Sequence, residues 1–247
     1  LFLVDETRLR VPGYRNLSLG LEQSLGRGFH GRITYLNKRG RRGFTFMPLE
    51  ERGRENRFGL FNARNDHYDA LEITARRTFR GQYEWLAGYT RSSARADAVL
   101  EYSLEDPIFA EQAGGPLAWD TPHRFQTWGW APVPAPASWP KLLRGFTLAY
   151  WLETRSGFPF RVVNEEALLV GRPNSRRFPG FFSLNLHLER RFTFLQQQWA
   201  WRAGFNNITN HKSPNVVNNN IDSPGFLTFT GGQKRALTVR LRFLGKT

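Results

Sequence analysis

Cysteine is absent from the 247 residues, and methionine occurs once. That absence excludes a disulfide framework, a cysteine-based zinc site and a thiol nucleophile. No apolar run comes near the roughly 18 residues of a membrane-spanning helix, which excludes a helical membrane protein. Acidic residues are scarce beside basic ones, 21 against 35, leaving a formal charge of +14. Such a balance suits nucleic acid or an anionic lipid surface, because lysine and arginine neutralise phosphates, and composition alone leaves both open. No charged-then-apolar signal segment follows Leu1, so the chain reads as a piece of something longer or a processed product.

Aromatic side chains are abundant at 15 %, with eight Trp and 21 Phe. Apolar residues recur with a period of two, the signature of a half-buried strand. Phe182, Leu184, Leu186 and Leu188 alternate with Ser183, Asn185, His187 and Glu189. Leu237, Val239, Leu241 and Phe243 alternate with Thr238, Arg240 and Arg242, and Trp199, Trp201, Ala203 and Phe205 form a third row. Further rows are Leu17–Leu21, Phe29–Tyr35, Leu71–Ala75, Tyr83–Tyr89 and Phe146–Leu152; Arg124–Ala131 is a ninth strand whose phase the pattern leaves open.

The connections carry more information than the strands. Ser24–Gly28, Arg80–Gln82 and Thr193–Gln197 are short, and Pro132–Arg144 is intermediate. Between them lie long polar stretches: Lys38–Asp66, Ser92–Pro122, Thr154–Gly180 and Asn207–Gly232. Soluble domains seldom need connections of ~20 residues, and an antiparallel outer-membrane barrel produces this alternation directly. On that reading Leu184, Leu186, Leu188, Leu237, Val239 and Leu241 face lipid, and the charged rows face a polar lumen. Tyr83, Trp85, Tyr89, Trp128, Trp130, Trp199 and Trp201 then form an aromatic girdle, since Trp and Tyr favour the membrane–water boundary. The competing assignment places them in a sandwich core. Such barrels usually carry even strand numbers, so nine strands imply others upstream.

The stretch "RRFPGFFSLNLHLERRF", followed by "WAWRAGFNNITNHKSPNVVNNNIDSPGFLTFTGGQKRALTVRLRF", resembles the last strands of a TonB-dependent outer-membrane receptor. The resemblance is closest to large acidobacterial-type receptors with a carboxypeptidase-regulatory-like N-terminal domain. It is supported by Asn16–Arg42, by "TPHRFQTWGW" (Thr121–Trp130) and by "RSGFPF" (Arg155–Phe160). The resemblance implies that residues 1–247 are the C-terminal part of the barrel, without plug domain, TonB box or first strands. It implies active uptake of a scarce or large solute across the outer membrane of a Gram-negative bacterium. The implied partners are outer-membrane lipid and lipopolysaccharide, the TonB complex through the absent N-terminal region, and the barrel-assembly machinery, which would read the last strand and Phe243. A non-transporting surface-adhesion barrel and a soluble basic nucleic-acid-binding β protein are the alternatives.

Nothing in the sequence supports catalysis or a cofactor. The five His lack metal-ligand spacing, and Asp66, His67 and Asp69 read as a solvated strand start. Glu50–Glu51 and Glu165–Glu166 point to opposite sides of an extended chain and cannot converge on one atom. Neither G-x-S-x-G nor a Walker A motif is present. Arg39, Arg41 and Arg42 form a short Arg-Gly stretch, read here as a loop for an anionic ligand rather than a nucleic-acid segment. Asp97, Glu101, Glu105, Asp106, Glu111 and Asp120 give the next long connection the opposite sign.

Overall fold

A computed structural model describes residues 2–49, 57–79, 83–99 and 114–246. Nine long strands follow one another in chain order, each antiparallel to the next. They are β1 (Gly13–Gly26), β2 (Phe29–Pro48), β3 (Phe58–Phe79), β4 (Tyr83–Ala96), β5 (His123–Pro132), β6 (Phe146–Arg155), β7 (Phe181–Phe194), β8 (Gln197–Asn206) and β9 (Ala236–Lys246). The sheet is an up-and-down meander, and among the described residues β1 and β9 are its open edges. Two short pieces join it: Phe2–Leu3 runs parallel to β3, and Gly115–Pro116 pairs with the end of β4. The one helical turn among the described residues is Lys141–Leu143.

The tight ends come from two-residue turns with positive φ, whose twist matches that of the strands they join. Arg27 (φ 52°) and Gly28 (φ 77°) turn β1 into β2, and Leu195 (φ 53°) and Gln196 (φ 58°) turn β7 into β8. Glycine is required at position 28, because a Cβ there would collide with the carbonyl of Thr78. The Thr78 N–H in turn donates to the Gly28 carbonyl at 3.0 Å. The turn expected at Arg80–Gln82 and the pair Glu50–Glu51 lie outside the described residues, as do Glu101, Glu105, Asp106 and Glu111.

The register sorts side chains onto two faces, since directly paired residues point the same way. One rung runs Leu21, Ile33, Ile73, Tyr89, Phe125, and another Tyr150, Leu186, Phe205, Leu237. The opposite face carries Gly20, Thr34, Glu72, Thr90, Arg124 and Arg155 on one rung and Thr147, Glu189, Arg202 and Arg240 on another. The apolar face is the bare one: Leu21 is 68 % exposed and Val239 70 %. The covered residues Thr34, Ala70, Ala94, His187 and Ala200 all lie on the charged face. This polarity is the reverse of a water-soluble sheet.

Two expectations are corrected. Lys38–Asp66 is not a loop: β2 continues to Pro48 and β3 starts at Phe58, paired through irregularities around Gly40 and Gly43. From Asn37 to Arg42 both faces are polar or glycine, so alternation breaks there while the backbone ladder continues. The phase of β5 places Trp128 against Leu86 and Trp151, and Trp130 against Glu84 and Ala149. Both Trp therefore belong to the charged face and leave the expected girdle. β9 itself runs past Phe243, since Gly245 and Lys246 pair with Gln198 and Gln197 after a bulge.

Candidate functional site: the charged face beneath the long connections

The described residues of three of the long connections are folded and joined to one another. The segment after Gly114 returns along β4, where Leu117 donates to the Ala94 carbonyl at 2.9 Å. The Asp120 carboxylate accepts the Ala94 N–H at 2.6 Å and forms an ion pair with Arg177 of the β6–β7 connection. Arg177 also donates to the carbonyls of Asp120 (2.9 Å) and Gly157 (3.2 Å), so one guanidinium fastens two connections. Nearby Pro173 is fully buried, and the Asn174 amide donates to the Pro116 carbonyl at 2.8 Å.

The β6–β7 and β8–β9 connections are joined in the same manner. Pro159–Phe160 pairs with Arg176–Arg177, and Val216–Val217 pairs with Phe229–Thr230. Phe160, Phe178 and Phe229 pack edge to face with centroids 5.2 to 6.1 Å apart. Ile221 donates to the Val163 carbonyl at 2.8 Å, and the Asn219 amide to the Arg161 carbonyl at 2.9 Å. Asn207, with φ 48°, is the pivot at the end of β8. Its N–H donates to Asn185 Oδ1 at 2.8 Å, and its amide donates to the carbonyls of His211 and Gln233.

These connections fold over the charged face and leave a cavity of about 470 Å³ there. Its wall holds Glu72, Arg124, Glu153 and Arg155 from the sheet, with Trp119 and Phe158 from the connections. Arg124 donates to Glu153 at 3.0 Å, and Arg155 lies 3.7 Å from the same carboxylate. The Arg155 guanidinium stacks on Phe158 (3.9 Å) and Phe181 (4.5 Å), which fixes its plane. A second cavity of about 510 Å³ shares Tyr68, Glu72 and Trp119 and adds Lys38, Arg64 and Asp66. The pair of cavities can hold a solute by aromatic stacking and charge-assisted hydrogen bonds. Ionic residues in such number on a covered face suit water rather than a packed core.

A family model for the outer membrane beta barrel domain matches residues 1–171. The chain belongs to that family. Its fold is all-β and antiparallel, and its location is the outer membrane. Among solved structures, the outer membrane transporter YddB from Escherichia coli is similar at a TM-score of 0.63 and 13 % identity. The match covers 98 % of this chain and 34 % of that one, so the chain spans about a third of the transporter's length. Among curated proteins none matches in sequence.

In this barrel sheet Leu184, Leu186, Leu188, Leu237, Val239 and Leu241 share the apolar face. Tyr83, Trp85, Tyr89, Trp199 and Trp201 lie on it too, although Tyr89 sits on a central rung. Aromatics concentrate at the short-turn end of that face. Phe29 meets Trp85 at 5.5 Å, Phe146 meets Trp201 at 5.6 Å, and Trp199 meets Phe243 at 5.3 Å. Arg39 and Arg41 stand in β2, not in a loop, and Arg39 is bound to Asp69 at 2.9 Å. Asp66 is held by Arg64 at 2.8 Å. Arg42 is the bulged residue, with φ 58°.

Sequence reasoning missed Asp120, Arg177, Asn185 and Asn207, all of which anchor the folded connections. Two left a trace: Asp120 as one charge of the acidic connection, and Asn207 in an amide-rich run directly after an alternating strand, where Asn tolerates positive φ.

Proposed function

We propose that this chain is part of the wall of a TonB-dependent receptor that takes up a scarce or large solute through the outer membrane. The apolar face meets lipid and the charged face lines a watery lumen. The observation that carries the reading is the interlocked layer of long connections over the charged face, with the two cavities opening between them. A passage guarded by folded connections and lined by paired charges is suited to capturing a solute. A plug domain in the complete protein would couple that capture to the TonB complex. No catalytic step belongs to this reading, and nucleic acid is not a partner. The barrel-assembly machinery reads β9, with Phe243 at its aromatic end.

The test is site-directed cross-linking of TonB to the complete protein in living cells. A cross-link that disappears when the inner membrane is de-energised is expected. Its absence in a correctly assembled protein would favour a barrel that interacts at the surface without transport.

A further inference from the structure

The apolar face of β1–β4 changes character abruptly toward the long connections. Leucine, isoleucine and tyrosine give way, on the same face, to Arg15, Arg39, Arg41, Arg91 and Arg95. The register places Arg15 opposite Arg39, Arg39 opposite His67, His67 opposite Arg95, and Arg91 beside Leu71. Arg15 follows directly on the Leu17–Leu21 row, and Arg91 on Tyr89; one step along a face is only about 6.6 Å. Arg15, Arg41, Arg91 and Arg95 are exposed, and among the described residues none has an acidic partner. The outward carboxylates of these strands are Asp69, already held by Arg39, and Asp97 just past Arg95, which accepts from the Asn65 N–H (2.6 Å) and amide (2.7 Å). A recess of about 280 Å³ lies between Gly13, Tyr14, Arg15, Arg39 and Arg41.

Like charges directly opposite one another destabilise a sheet, and two adjacent strands here carry an Arg–Arg pair. An anion seated between them would remove that cost. Its source follows from the face. A solute passing through the interior meets Glu72 and Arg124, on the other side of the sheet. The Arg collar projects from the side that carries the leucines, so its anion is carried by a molecule lying against that apolar surface.

We propose that Arg15, Arg39, Arg41, Arg91 and Arg95 form a docking collar for the phosphates of lipid A in the outer leaflet. The acyl chains lie along the Leu17–Leu21 and Ile33–Tyr35 rows, and the sugar phosphates meet the guanidinia in paired hydrogen bonds. The collar rests on the lipid-facing assignment of this face and is independent of TonB coupling.

The experiment titrates the complete protein, in dodecyl maltoside micelles, with diphosphoryl hexa-acyl lipid A and reads bound lipid by native mass spectrometry. The comparison ligands are the same lipid without phosphates, phosphatidylglycerol, and sodium pyrophosphate alone. R15Q/R41Q should weaken diphosphoryl lipid A by about 30-fold at low salt, at the usual contribution of one basic side chain near an anionic surface. R91Q/R95Q, on separate positions, should weaken it similarly, R15K/R41K should retain part of the affinity, and Arg240→Gln on the charged face should change nothing. Heat-dependent gel mobility verifies that each variant is folded, and either double variant alone suffices if the other fails to assemble. Equal binding by the folded Gln variants would overturn the collar. So would equal affinity for dephosphorylated lipid A or phosphatidylglycerol, or pyrophosphate binding as tightly as the lipid, which would make it a soluble-anion site. A missing TonB cross-link would leave these results untouched.

Discussion

Leu188 and Glu189 are adjacent in the chain and face opposite media. Leu188 pairs with Leu148 and Ala203 on the apolar face, and Glu189 binds Arg242 at 2.6 Å on the other. Leu188→Arg in the complete protein should therefore cost ~2–4 kcal/mol, the penalty of a cation on the lipid side near mid-membrane. Thr147→Arg, beside Glu189 on the charged face, should cost well under that. Urea unfolding in lipid vesicles measures both, and equal costs would refute the assignment of faces. Asn185 makes a poor control, because its side chain holds the Asn207 N–H. At this scale the sequence was legible wherever alternation was unbroken, as in β7 and β9. It was illegible at Trp128 and Trp130, where aromatics on the charged face alternate with Phe125, Thr127 and Gly129 and blur the phase.

Among the elements, the Asp120–Arg177 contact joins two connections that share no strand pairing. Asp120 is almost fully buried and satisfies a buried backbone N–H as well as a guanidinium. Asp120→Ala leaves the Ala94 N–H without its acceptor and strips Arg177 of its carboxylate, though not of its two carbonyl contacts, and removing one member of a buried pair costs on the order of 3–5 kcal/mol. Arg177 is partly exposed, so the lower end of that range is expected. The loss should appear locally, as faster proteolysis between Gly114 and Gly180, with the melting of the strands little changed. None of this was visible beforehand, since a polar connection without periodicity reads as a loop whether or not it is folded. The extension of β2 and β3 was hidden for a related reason. Where polar residues occupy both faces, as from Asn37 to Arg42, the backbone ladder continues without alternation to mark it.

For the whole molecule, the tight turns collect at one end of the sheet and the folded connections at the other. With no native cysteine, single-cysteine labelling is free of background. Glu166→Cys should react with an impermeant maleimide on intact cells, whereas Ser138→Cys should react only after the outer membrane is opened. Labelling of Ser138→Cys in intact cells would reverse the topology. Nine antiparallel strands also leave β1 and β9 running in the same direction. A closed antiparallel barrel then needs an odd number of further strands between these edges.

The neighbour-to-neighbour pairing of the nine strands also has a consequence in time. Each hairpin joins residues close in sequence, so its closure entropy is small and it can be added as the chain is delivered. Asp120 and Arg177 are 57 positions apart and cannot meet until the strands between them are in place. Their contact therefore follows the pairing of β5 with β6, and its formation reports that this part of the sheet is in place.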